Sequence, residues 1–172
     1  MTTCRQNWSI ECENELNEQI NREYTASLNY HYLSSYFNND SQGLTKLADY
    51  FNTCSLEERN HADELMKYQN KRGGTVVLKG ILNPSIEFKT DSDVLESLQI
   101  AFNLEKEINH YLLELHKTAD SNKDPQFSDY LEGTFLNEQV ESIYKLTQLI
   151  NKLKKIGNDN YHNIWHFVDV NF

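Results

Sequence analysis

Four long stretches of this chain repeat apolar residues at alternating steps of three and four. That spacing draws a stripe down one side of an α-helix, and such a stripe is stable only when something covers it. Four helices of this kind cover one another, so the pattern restricts the chain to helix packed on helix. Breakers separate the stretches: the first stops at Asn38-Asn39-Asp40, the second at Gly73-Gly74, and the fourth starts at Asp124-Pro125 and ends before Gly157. Gly just past a helix and Pro at its first position are the usual stop and start signals. Ser92 or Asp91 reads as the cap of the third helix. The expectation is an all-α single domain over 1–172, with helices at about 9–37, 44–72, 93–120 and 125–155 and a short fifth at about 161–170.

The connections set the topology. The first and second helices are joined tightly, as are the third and fourth, which makes each pair antiparallel neighbours. The second and third are separated by the stretch 73–92, which carries Val76, Val77, Leu78, Ile81, Leu82, Ile86 and Phe88. A connection this apolar is expected to lie packed on something. The architecture is therefore a four-helix bundle with one long crossover and a short C-terminal helix. A surplus of 26 Asp+Glu over 16 Lys+Arg, a formal charge of −10, argues against a nucleic-acid partner. No run approaches the roughly 18 apolar residues of a membrane span, which argues against a membrane partner. A polar start and three cysteines (Cys4, Cys12 and Cys54) without a CxxC pair lead to the expectation of a reducing, cytoplasmic home.

The stripes are not apolar throughout. The first runs Leu16, Ile20, Glu23, Ser27, Tyr30; the second runs Phe51, Cys54, Glu58, His61, Leu65; the third runs Leu98, Ala101, Glu105, Ile108, Leu112. Three glutamates and a histidine thus fall on the faces that must be buried, each near the middle of its helix. A single glutamate on such a stripe is commonly a surface residue, and Glu58-x-x-His61 alone is a frequent pattern. Several at one height are different, because unpaired buried carboxylates cost several kcal/mol each. A bound metal offsets that cost, and Glu with His but no thiolate suits iron, manganese or zinc. On the fourth helix the stripe reaches either Glu138 or Gln139, and periodicity does not choose between them. Neither has a His three residues on, so one metal position is better supplied with ligands than the other. Tyr30 is plain core or a hydrogen-bond partner of a site carboxylate.

At this level of detail the chain resembles the animal ferritins. The run Glu57-Glu58-Arg59-Asn60-His61-Ala62, continuing through Leu65-Met66-Lys67 to Gln69-Asn70-Lys71-Arg72-Gly73-Gly74, is similar to the family's second helix. Gln19-Ile20-Asn21-x-Glu23, Leu104-Glu105-Lys106, Leu112-Leu113-Glu114-Leu115-His116-Lys117 and Leu136-Asn137-Glu138-Gln139-Val140 resemble its other helices. The likeness is to the heavy, ferroxidase-bearing type of subunit. It implies a first iron site of Glu23, Glu58 and His61, with Glu58 bridging to a second iron held by Glu105 and flanked by Gln139, and with Tyr30 adjoining. It also implies two iron ions per subunit, Fe²⁺ oxidised by O₂, and ferric mineral stored in a cage of 24 subunits, built alone or with other ferritin subunits. His116, Asp129 and Glu132 match the family's threefold entry channel, and Glu57 and Asp63 its mineral-nucleating positions. Asn60 stands where the family carries an acid, which implies slower nucleation. The aromatic segment 161–172 departs most from the family pattern, so its placement and the fourfold channel do not follow from the likeness. The alternative is a storage subunit that builds the shell without oxidising iron.

Overall fold

The computed structural model describes the chain except residues 1–3, 82, 89–92 and 158–160. The sequence-read cap at Asp91 or Ser92 lies outside the described residues. All regular structure among the described residues is helical: α1 (Ile10–Phe37), α2 (Thr45–Lys71), α3 (Asp93–Ser121), α4 (Pro125–Leu131), a π-helical turn (Glu132–Leu136), α5 (Asn137–Ile156) and α6 (Tyr161–Asn171). α1 packs along α2 and α3 along α5 and α4, which gives a four-helix bundle with the short α6 across one end. No described helix is long and apolar enough to cross a membrane.

Local chemistry explains the ends. The Ser9 hydroxyl accepts from Cys12 N at 3.1 Å and starts α1. Asp124 caps α4 by accepting from Phe127 N at 3.1 Å, with Pro125 in the first turn. Gly157 ends α5 at φ +85°, a left-handed conformation that costs glycine little. The fourth helix, expected as one continuous α-helix, is interrupted. The backbone widens into a π turn at Glu132–Leu136, where Gly133 and Thr134 are poor helix formers.

The crossover follows α1 for a physical reason. Asn17 and Asn21 stand one turn apart and meet its backbone like a ladder. Asn17 Nδ2 donates to the Thr75 carbonyl at 3.0 Å, and Val77 N donates to Asn17 Oδ1 at 3.0 Å. Lys79 N donates to Asn21 Oδ1 at 2.8 Å, and Thr75 N to Glu13 Oε1 at 2.8 Å. The apolar side chains of this segment divide. Ile86 and Phe88 pack against the core, whereas Val77, Leu78 and Ile81 are exposed. Within the single chain, backbone hydrogen bonds rather than side-chain burial hold its first half.

Two apolar clusters fill the bundle. One gathers Tyr30, Leu33, Phe37, Leu47, Phe51, Leu98, Leu146 and Leu153, with Ile164, Phe167 and Val168 of α6. The other gathers Trp8, Leu16, Ile20, Leu65, Ile108, Leu112, Phe127 and Phe135. Glu23, Glu58, Glu105 and Gln139 are buried and belong to neither cluster. At the far end of the second cluster, Trp8 Nε1 donates to Gln69 Oε1 at 3.0 Å, Gln69 Nε2 donates to the Glu13 carbonyl at 2.9 Å, and Arg72 bonds Asp124 at 2.6 Å.

Gly74 sits against this lock. A Cβ there would lie 2.3 Å from Gln69 Oε1 and 2.7 Å from Trp8 Nε1. Gly74→Ala is expected to cost about 1–3 kcal/mol, the usual range for overpacking. Chemical denaturation checks this, and a stability equal to wild type would show that the Trp8–Gln69 pair can yield.

Candidate metal centre

Each helix of the bundle places part of one polar cluster. α1 supplies Glu23 and, two turns on, Tyr30; α2 supplies Glu58 and, one turn on, His61; α3 supplies Glu105; α5 supplies Gln139. Single ligand atoms of Glu23, Glu58 and His61 all lie within 4.8 Å of one another. His61 Nδ1 is 3.3 Å from Glu58 Oε2. Glu23 Oε2 is the one buried side-chain oxygen or nitrogen among the described residues that lacks a hydrogen-bond partner. Its neighbour is the Glu58 carboxyl, which satisfies it only through a shared proton or a shared cation.

Glu105 lies beside Glu58 and accepts a hydrogen bond from the Tyr30 hydroxyl. Tyr30 is itself buried and stacks on Phe51 at 6.1 Å. Gln139 is buried, but its Nε2 donates to the Glu105 carbonyl at 3.0 Å. That amide braces α5 against α3 and leaves only Oε1 for a cation. Burial pushes the carboxyls of Glu23, Glu58 and Glu105 up; like charge adds to it, Glu58 acting on Glu23 and Glu105 on Glu58.

The sequence reading set aside one group that the structure places at the centre. Glu138 is half exposed, and its Oε2 lies 3.2 Å from His61 Nε2. Glu138 and Gln139 therefore both reach the site, Gln139 from the buried face and Glu138 from the side facing α2. The five-residue π turn, which ends two residues before Glu138, makes this possible, because it shifts the helix phase between Leu131 and Gln139. Gly133-Thr134 inside a helical pattern was the available signal.

A cavity of about 370 Å³ opens between α2 and α5 beside these residues. Glu57, Glu58, His61, Glu105 and Glu138 line it, together with Cys54 and Tyr50. Cys54 is half buried, and burial followed by the charge of Glu57 pushes its thiol up to about 12. That thiol is neutral at ordinary pH and behaves as a small apolar group.

The other positions singled out in the sequence are placed as follows. His116 Nε2 is 2.7 Å from Glu132 Oε1, so helix α3 and the π turn bring these two together on the surface. Asp129 is exposed on α4. Glu57 is exposed at the cavity edge, and Asp63 accepts from the Tyr24 hydroxyl at 3.1 Å. Asn60 donates to Glu64 Oε1 at 3.1 Å.

Comparison with known proteins fixes the family. The Ferritin family, described as a ferritin-like domain, matches residues 13–156. A chloroplastic ferritin of Malus baccata var. xiaojinensis is 47% identical over 169 residues, covering 97% of this chain and 67% of that protein. Ferritin-3, chloroplastic, of Vigna unguiculata is 47% identical over 165 residues, covering 95% of this chain and 64% of that protein. Ferritin-3, chloroplastic, of Arabidopsis thaliana is 44% identical over 169 residues, covering 97% and 64%. The chain thus spans about two thirds of the length of the relatives it matches. Two expectations are corrected. The relatives are plant ferritins, not the animal heavy type, because the helix motifs that carry the likeness are shared across that division. Chloroplastic relatives also overturn the cytoplasmic expectation, which rested on a polar start and unpaired cysteines, features that do not distinguish a compartment. Matched over most of its length, the chain belongs to the ferritin family.

Proposed function

We propose that the chain is an iron-storage subunit that oxidises Fe²⁺ with O₂ at the Glu23–Glu58–His61–Glu105 cluster and passes ferric iron to mineral inside a 24-subunit cage. One observation carries this reading: three ligand atoms from two helices converge within 4.8 Å in the middle of a buried core, and one of their oxygens has no donor. Iron is the substrate. Glu23, Glu58 and His61 would hold one ion, and Glu58 with Glu105 the other. Carboxylate oxygens are hard ligands and favour Fe³⁺ over Fe²⁺, so the cluster draws each ion toward the oxidised state as O₂ takes its electron. Tyr30 keeps Glu105 oriented through its hydroxyl. The cavity between α2 and α5, with Glu57 and Glu138 on its wall, offers an acidic path away from the centre.

Large apolar side chains left in water support assembly. Val77, Leu78 and Ile81 on the crossover, Tyr32 on α1, and Tyr161 and Trp165 on α6 are all exposed in the single chain. Burial against further copies would cover them. The His116–Glu132 pair with Asp129 is the acidic set we assign to cation entry, and Glu57 and Asp63 to nucleation. A storage subunit without oxidase activity is the second reading. The observation in its favour is the Gln139 amide, turned to the Glu105 carbonyl and leaving the second ion fewer ligands.

Aerobic Fe²⁺ oxidation at about two Fe per chain, the stoichiometry of a dimetal bundle, decides between them. Wild type is expected to oxidise iron fast, and a Glu58→Ala, His61→Ala double mutant at the slow rate of solution. Equal rates in both proteins would leave the storage reading standing. Light scattering of the full-length protein is expected to give the mass of 24 chains; a monomer or dimer would contradict the cage.

The buried carboxyls also make the metal-free centre a source of instability. Unfolded Glu titrates near 4.3. The folded carboxyls are raised, so between 4.3 and their raised values the folded chain holds more protons than the unfolded one. Their contribution to stability is complete below about 4.3 and is lost as pH rises through the folded values. A divalent cation displaces those protons, so its affinity climbs over the same range. Glu23→Gln removes one charge while keeping shape. At neutral pH the metal-free variant is expected to melt higher than wild type, by roughly 2–4 °C per kcal/mol relieved. It is also expected to lose the rise in melting temperature that Co²⁺ gives wild type. A metal-free variant that melts lower would show that the Glu23 charge is already compensated.

A further inference from the structure

The two oxygens of Glu23 have different surroundings. Oε2 has no donor, whereas Oε1 accepts from Gln19 Nε2 at 2.7 Å. Gln19 stands one turn earlier on α1 and has no exposed surface. Its own oxygen accepts from Arg22 at 3.4 Å, and the Arg22 guanidinium lies 3.8 Å above the ring of Tyr111 on α3. This arrangement fixes the amide. A guanidinium only donates, so the Gln19 oxygen must face Arg22 and the nitrogen must face Glu23. The ring of Tyr111 holds the cation over its face and keeps it from swinging into solvent. The links run without a break from α3 through Tyr111, Arg22 and Gln19 to Glu23.

We propose that Gln19, oriented by Arg22 on Tyr111, is a positioning residue of the metal centre: it occupies Glu23 Oε1 and reserves Oε2 for the cation. The proposal rests on reading Glu23, Glu58 and His61 as a cation centre. Gln19 touches no ion. Its role requires an amide, since a carboxylate in its place would be repelled by Glu23 and an apolar side chain would leave Oε1 free to rotate. Two unpaired oxygens would then compete for the ion, and the carboxylate would sample several rotamers in place of one. Hydrogen bonds of this kind to a metal ligand are worth about 10–100-fold in metal affinity.

Co²⁺ titration of the full-length protein, followed by its visible absorption, tests this without iron turnover. Glu23→Ala serves as the reference for a lost centre and is expected to abolish the Glu23-dependent part of the titration. Gln19→Leu, similar in size, is expected to weaken that part by about 10–100-fold and to shift the visible band as the ligand geometry changes. Arg22→Met, at a partly exposed position, is expected to shift the band in the same direction with a smaller loss of affinity. A residue that only fills space would leave the band where it is. Wild-type affinity and an unmoved band in Gln19→Leu and Arg22→Met overturn the positioning role while leaving the metal centre intact. If Gln19→Leu does not fold, the Arg22→Met spectrum decides alone, a shifted band supporting the relay and an unmoved band overturning it. A titration that Glu23→Ala leaves unchanged overturns the centre itself, and the positioning role with it.

Discussion

Charge buried at mid-height governs this molecule. Glu23, Glu58 and Glu105 sit between two apolar clusters, largely removed from water, where the charge of Glu58 raises the proton affinity of Glu23 and that of Glu105 raises the proton affinity of Glu58. Such a layer weakens a bundle unless a proton or a cation is shared within it. The surrounding structure is organised to keep the layer in place. Tyr30 ties Glu105, Gln139 ties the backbone beside Glu105, and Gln19 ties Glu23. Among the described residues one buried side-chain oxygen, Glu23 Oε2, is left over, and it lies where ligands from α1 and α2 meet.

The halves on either side carry the stability that the middle gives up. Aromatic stacking runs through the end that holds α6, from Tyr30 over Phe51 to Phe37. At the other end Trp8 packs edge-on against Phe127 at 5.0 Å, while Arg72 covers its ring at 4.7 Å and bonds Asp124. Each half is closed by its own local devices, so the polar layer can stay adaptable without loosening the fold.

The fold class was legible because a stripe of apolar residues at helical spacing has one economical solution, and Gly73-Gly74 and Asp124-Pro125 mark helix ends through their own backbone preferences. Glu23, Glu58 and His61 stood out for the same reason: they interrupt stripes that otherwise read as core. What could not be read was anything that depends on one helix's rotation relative to another. Glu138 was set aside in favour of Gln139, yet both reach the site, because the π turn that moves them is a tertiary outcome signalled only weakly by Gly133-Thr134. The crossover's composition called for a packing partner, and within the single chain Val77 and Leu78 are exposed while Asn17 and Asn21 hold the backbone. Hydrophobicity reports that a side chain needs a partner, not that the partner belongs to the same chain.

The widened turn at Glu132–Leu136 has a consequence for how this helix tolerates change. An α-helix advances about 100° per residue, so one residue inserted or deleted within it rotates everything downstream onto another face. A π turn already contains one residue more than its span requires. Removing a residue there would let the backbone relax to ordinary α geometry and leave Gln139 seven steps, about two turns, from Leu131, so both would stay on the buried face. The helix can thus shorten by one residue at this turn and still present Gln139 to Glu105, a change that would misdirect every later side chain anywhere else along it.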